Sequence, residues 1–275
     1  MLRGRSAAMH RHGGAGVFAV CPLSARAPGG HNGNLVRPAG SVMKPRLYLI
    51  PGTMCTERLW SAVGDRLEHD VELVHLPIPP ADDLAATVAA LRAHITEDGA
   101  ALVGFSLGAY LAACVAVRHP EALGRLMLVS NTPCPLRAED ARQRADILRW
   151  VERHGYKGIA RAKAAALAGD GDRQAAIVET IMAMDAELGA AVFRHQMRVT
   201  TEREDLAAPL AALDIPLDFV FSRDDPMIDH AWLRRFATAC PRARLHPQHG
   251  GGHMLPLSHA AELAALLRRW LSSAS

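Results

Sequence analysis

The sequence predicts an α/β fold, a mostly parallel sheet with helices on both faces and an inserted all-helical cap. Three observations lead there. From residue 47 onward, short apolar runs alternate with segments of helical spacing. The alternation stops near residue 135 and resumes near residue 217, with helical patterning alone in between. At its centre, residues 100–103 (A-A-L-V) lead into Gly104-Phe105-Ser106-Leu107-Gly108 and a second apolar run. With no residues to spare, the chain has to pass from strand to helix on the serine itself.

The elements follow in order. Residues 47–50 (L-Y-L-I) read as the first strand, ended by Pro51-Gly52-Thr53. Residues 56–67 have helical spacing, with Leu59, Trp60, Val63 and Leu67 on one stripe and Thr56 placed as the cap. Residues 71–75 form the second strand, and Asp82 or Asp83 opens a helix reaching about Ile95. After the serine-bearing unit comes a strand at 125–129. Within the helical segment, Ile147, Trp150, Val151 and His154 share one face, and Ile177, Ile181 and Met184 share another. Met182, Met184, Phe193 and Met197 either fill the core of that segment or line an apolar pocket. A strand at 217–221, a helix at about 230–239, a strand at 243–246 and a last helix near 258–271 complete the pattern. The expected division is an α/β core at 43–134 and 210–275, with a helical cap at 135–209.

A chain of 275 residues can bury a full core. Hydrophobic content of 49% and charged content of 21% place it with ordinary globular proteins. The net charge of +3 misleads. Residues 1–46 hold seven of the 31 Lys and Arg and no acid, leaving 24 basic against 28 acidic residues beyond them. That balance gives no reason to expect nucleic acid. Five scattered cysteines (Cys21, Cys55, Cys114, Cys134, Cys240) include no C-x-x-C pair, which points to reduced thiols and a cytoplasmic location. The most apolar window is the serine-bearing unit, too short and interrupted for a bilayer, so no membrane span is expected. Residues 1–42 are rich in Arg, Gly, Ala and Pro and read as a tail or upstream extension, with a start at Met43.

Ligands of open parallel sheets bind beyond the carboxyl ends of the strands, so polar groups there carry the chemistry. Four sets qualify: Pro51-Gly52-Thr53-Met54, Ser106, Ser222-Arg223-Asp224-Asp225-Pro226, and His249-Gly250-Gly251-Gly252-His253-Met254. A hydroxyl, a carboxylate and an imidazole in the order Ser, Asp, His make a workable nucleophilic triad. The spacing of His246, His249 and His253 invites a metal reading, but Pro247 and three glycines deny it the helix that would align the rings. Neither a metal nor a cofactor is expected.

From Leu47 to Leu271 the chain resembles the α/β-hydrolase superfamily, on strand-P-G-T, G-F-S-L-G-A, D-D-P and G-G-H-M-L-P in the right order. The resemblance implies Ser106 as nucleophile, His253 as base and Asp225 as orienting acid, with Asp224 and His249 as the alternatives. It also implies an oxyanion hole formed by the backbone N–H of Leu107 and of Thr53, or of Met54 in its place. The activity implied is hydrolysis of a carboxylic ester or thioester of a small molecule. C–C bond hydrolysis, cofactor-free perhydrolysis, or a weakly catalytic ligand-binding module on the same fold are the alternatives. Eight basic side chains in residues 137–163 (Arg137, Arg142, Arg144, Arg149, Arg153, Lys157, Arg161, Lys163) read as a solvated face, or as a docking surface for an acyl carrier or CoA thioester.

Overall fold

The computed structural model describes residues 44–273; the expectations for residues 1–42 lie outside them. Six strands form one sheet: β1 (Arg46–Ile50), β2 (Glu72–His75), β3 (Ala100–Phe105), β4 (Leu123–Val129), β5 (Leu217–Ser222) and β6 (Ala243–Gln248). Their order is β2-β1-β3-β4-β5-β6, and every pairing is parallel. The chain runs outward from β1 to β2, then returns past β1 to β3 and continues the other way. That reversal places the loop after β1 beside the loop after β3, the position where such sheets open a crevice.

Ten α-helices and two short 3₁₀ helices (Glu57–Trp60 and Pro120–Ala122) complete the described residues: α1 (Ser61–Leu67), α2 (Leu84–Ala93), α3 (Leu107–Arg118), α4 (Ala138–His154), α5 (Arg161–Ala168), α6 (Gln174–Val199, broken at Gly189), α7 (Ala207–Ala211), α8 (His230–Ala239), α9 (Leu255–Ser258) and α10 (Ala260–Ser272). All of β3 is buried, and its side chains alternate between two cores. Leu102 packs with Tyr110 and Leu111 of α3 and Trp232 and Phe236 of α8. Val103 faces the opposite core with Leu47, Val63 of α1 and Leu267 of α10. Burying both faces is what an all-parallel sheet demands, and it explains the unbroken apolar run.

The segment between β4 and β5 holds α4 to α7. Helices α5 and α6 have no core of their own: Ala164, Ala168, Ile177, Ile181 and Met184 join the second core cluster together with Met254 and Leu255. Short α7 belongs elsewhere. Its Leu210 and the preceding Leu206 lie in the first cluster, with α3 and α8.

One local expectation needs correction. Thr56 does not cap a long helix: Glu57–Trp60 is a 3₁₀ turn, α1 starts at Ser61, and the Thr56 hydroxyl makes no cap bond. Of the residues sharing one face of α4, Val151 is buried while Ile147 and Trp150 are 38% and 50% exposed, so the helix leans on its neighbours along a narrow stripe.

Candidate active site

Ser106 sits on the turn between β3 and α3 with φ 51° and ψ −117°, a conformation that side-chain-bearing residues seldom adopt. The flanking glycines make the turn possible. A Cβ on Gly104 would lie 2.3 Å from the Gly108 carbonyl oxygen, and one on Gly108 would lie 2.3 Å from that of Pro51. The Ser106 N–H is anchored to the Val129 carbonyl of β4 at 2.8 Å.

The loops after β5 and β6 meet Ser106. His253 Nε2 lies 2.8 Å from Ser106 Oγ, and His253 Nδ1 lies 2.7 Å from Asp225 Oδ2. An ionised carboxylate only accepts, so this contact puts the ring proton on Nδ1 and leaves Nε2 free to accept from the serine hydroxyl. His253 is 5% exposed and Asp225 1% exposed, and the Phe105 ring packs against the imidazole at 5.2 Å. The second oxygen, Asp225 Oδ1, accepts from Met227 N–H at 3.0 Å.

Asp224 faces a different partner. Its Oδ2 accepts from Gly250 N–H at 2.9 Å, while Ser222 Oγ donates to the Gly250 carbonyl at 2.8 Å. The two together fasten the histidine loop to the acid loop. His249 is exposed, and its carbonyl accepts from His259 Nε2 at 3.1 Å. His246 turns to Asp218 on β5, 2.6 Å away, and does not approach His253's partners. Among the described residues no group of three or more His, Cys, Asp or Glu side chains is placed to hold a metal.

Beside the serine, the Leu107 N–H opens α3 and the Thr53 N–H lies in the loop after β1. Neither finds an acceptor among the described residues. The Met54 N–H does: it donates to Gln196 Oε1 of α6 at 2.9 Å. Cys55 N–H closes the same loop on the Gly52 carbonyl at 3.1 Å. The Cys55 thiol is pushed up to about 12 by burial, and that of Cys114 to about 11 for the same reason, so neither supplies a thiolate at neutral pH.

Residues 47–266 match the family model of the alpha/beta hydrolase family. The chain belongs to that family. Among curated proteins it is 24% identical over 237 residues to the biotin biosynthesis bifunctional protein BioHC of Teredinibacter turnerae. The match covers 78% of this chain and 40% of that protein, so the chain spans well under half the relative's length. Among solved structures, a thermophilic esterase from Thermogutta terrifontis superposes with a TM-score of 0.72 at 19% identity, covering 83% of this chain and 90% of that one. A thioesterase domain from the curacin biosynthetic pathway gives 0.59 at 20% identity, covering 82% and 90%. At these identities the likenesses show the fold.

In this alpha/beta hydrolase the sequence reading missed the groups that hold the loops in place. Leu167, near the end of α5, accepts from both His253 N–H (2.9 Å) and Met254 N–H (3.3 Å) through its carbonyl. Gly169 and Gly252 touch backbone to backbone there: a Cβ on Gly252 would lie 2.7 Å from Gly169 N. Carbonyls carry no sequence signature, and Gln196 is 142 residues from the N–H it binds.

A cavity of about 660 Å³ opens on the far side of the loop after β1, lined by Cys55, Ile78, Leu188, Val192 and Gln196 among others, with the Arg58–Glu187 ion pair on its wall; Ser106, Asp225 and His253 do not line it. Its size is that of a small-molecule site. On the cap, several of the eight basic side chains pair locally: Arg137 with Asp140, Arg149 with Asp146 and Arg161 with Glu179. Arg144 turns inward, donating to Thr200 Oγ1 at 2.9 Å, with burial lowering its guanidinium to about 10. It is no part of an outer surface. Among the described residues no helix is long and apolar enough to cross a membrane.

Proposed function

We propose that the protein is a serine hydrolase that cleaves a carboxylic ester or thioester of a small molecule through an acyl-enzyme on Ser106. The observation that carries this is the unbroken path from Ser106 Oγ through both nitrogens of His253 to Asp225, at 2.8 and 2.7 Å. In this reading His253 Nε2 takes the hydroxyl proton as Oγ attacks the carbonyl carbon, and Asp225 steadies the imidazolium. The carbonyl oxygen, now an oxyanion, is received by the Thr53 and Leu107 N–H groups. Collapse breaks the bond to the leaving group, which departs with the proton from Nε2. Water then repeats the sequence on the acyl-enzyme and releases the acid.

The test is fluorophosphonate labelling and hydrolysis of a p-nitrophenyl ester series by the wild type and Ser106→Ala. Labelling and turnover that vanish in Ser106→Ala support the reading, and turnover that survives overturns it. Slow labelling of the wild type without steady-state hydrolysis would mark a ligand-binding module instead.

The thioester branch of the reading places an acyl carrier or CoA thioester on the outer side of α4, where Arg142, Arg149 and Arg153 are exposed beside Trp150. Arg149→Glu with Arg153→Glu should then slow turnover of a carrier-bound thioester and spare p-nitrophenyl acetate. Equal effects on both substrates would remove this branch and leave the esterase reading standing.

A further inference from the structure

The loop after β1 contains three peptide N–H groups in sequence, those of Thr53, Met54 and Cys55. Two are tied down. Cys55 N–H binds Gly52 O within the loop, and Met54 N–H binds Gln196 Oε1 across the cap boundary. The Met54 N–H is a donor, so the side-chain atom facing it must be the amide oxygen of Gln196. The Gly52 carbonyl that accepts Cys55 N–H belongs to the same planar peptide unit as the Thr53 N–H, so that bond holds the Gly52–Thr53 plane, while Gln196 holds the Thr53–Met54 plane beside it. The Thr53 N–H is the one left for a substrate.

The tie also has something to restrain. Met54 has φ 54°, a left-handed conformation that costs a non-glycine residue energy and persists only when its surroundings enforce it. Gln196 is built for that role. It is 3% exposed, and its own carbonyl accepts the Thr200 hydroxyl at 2.6 Å, itself bonded by Arg144. Met184 Sδ receives Thr56 N–H at 3.4 Å, a second and weaker hold from the stretch of α6 that precedes its break at Gly189. Cap helix α6 therefore grips the loop on both sides of Cys55.

We propose that Gln196 is a positioning residue of the oxyanion hole: by binding Met54 N–H it orients the Thr53 N–H toward the reacting carbonyl. The inference rests on the serine-hydrolase reading above. Gln196 touches no reacting atom in this scheme; it acts through the loop.

The experiment compares wild type, Gln196→Leu, which has similar volume and no acceptor, and Gln196→Met, whose sulfur accepts weakly. Each is measured for kcat and KM on p-nitrophenyl acetate and for affinity toward an aryl trifluoromethyl ketone, which forms a tetrahedral adduct on serine. Thermal melting is recorded alongside. Expected for Gln196→Leu is a kcat lower by about tenfold to a hundredfold, short of the loss of a whole oxyanion donor. KM should stay within about twofold, and ketone affinity should weaken in step with kcat. Gln196→Met should fall between, and it carries the test alone if the leucine variant does not fold. A kcat unchanged in either folded variant, or a kcat loss with ketone affinity unchanged, overturns the proposal. Hydrolysis that survives Ser106→Ala would instead defeat the reading beneath it, so the two failures are distinguishable.

Discussion

Asp224 Oδ2 accepts the Gly250 N–H at 2.9 Å, while the next carboxylate in the chain, Asp225, reaches the His253 ring at 2.7 Å. Two adjacent acids thus serve the same loop in different ways, one through its backbone and one through its imidazole. Asp225→Asn should lower kcat by about 10⁴, because the amide favours the wrong ring tautomer. Asp224→Asn keeps an oxygen for Gly250 and should cost less than about tenfold. Steady-state hydrolysis of p-nitrophenyl acetate by the two variants checks this, and equal losses would contradict it.

The strained turn at Ser106 depends on close backbone contact that no rotamer change can relieve. Gly104→Ala and Gly108→Ala should each destabilise by about 3 kcal/mol or more, the upper end for overpacking, since the added methyl meets carbonyl oxygens at 2.3 Å. Urea unfolding followed by circular dichroism measures it. A variant as stable as the wild type would mean that the turn can relax.

If the donor at position 53 is the backbone N–H, the side chain is dispensable there. Thr53→Ala should retain activity within about threefold, where loss of a true oxyanion donor would cost ~10²–10³. A loss of that larger size on an ester substrate would move the role to the hydroxyl.

Asp218 on β5 is 1% exposed and accepts from Arg244, His246 and Trp270 Nε1. Burial alone would raise its carboxyl, but the hydrogen bonds from His246 and Arg244 outweigh it and hold it below the ordinary carboxylate range. A depressed carboxyl contributes stability that is present above the unfolded value and lost as pH falls through the folded one. Asp218→Asn should therefore cost about 3 kcal/mol at pH 7, and the gap to wild type should narrow below about pH 4. Unfolding curves at pH 7, 5 and 3.5 test the sign.

How much was legible follows from how local each signal is. The strand–turn–helix at Ser106 was readable because Gly104 and Gly108 are required within two residues of the serine they flank. The loop carrying Asp225 was readable because it follows the buried strand β5, and that carrying His253 because its three glycines interrupt the chain just before the last helices. Thr56 was misplaced because a 3₁₀ turn and an α-helix share apolar spacing over one turn. The exposure of Trp150 was invisible because periodicity reports a face of α4 and says nothing of what lies opposite it. Gln196 and the Leu167 carbonyl could not be found at all: their partners are 142 and 86 residues away in sequence, joined only by the fold.

The backbone contact between Gly169 and Gly252, with Leu167 O beneath His253 N–H, bears on how such an enzyme can be remodelled. A helical insertion that merely roofed a finished machine could be exchanged between homologues or excised to widen the entrance. Here the roof supports the walls. A chimaera carrying a foreign insertion would inherit the serine, the acid and the histidine yet lack the groups that seat the histidine loop and the loop after β1. Engineers seeking new substrates should leave the ends of α5 and α6 untouched, Gln196 on the cavity wall included.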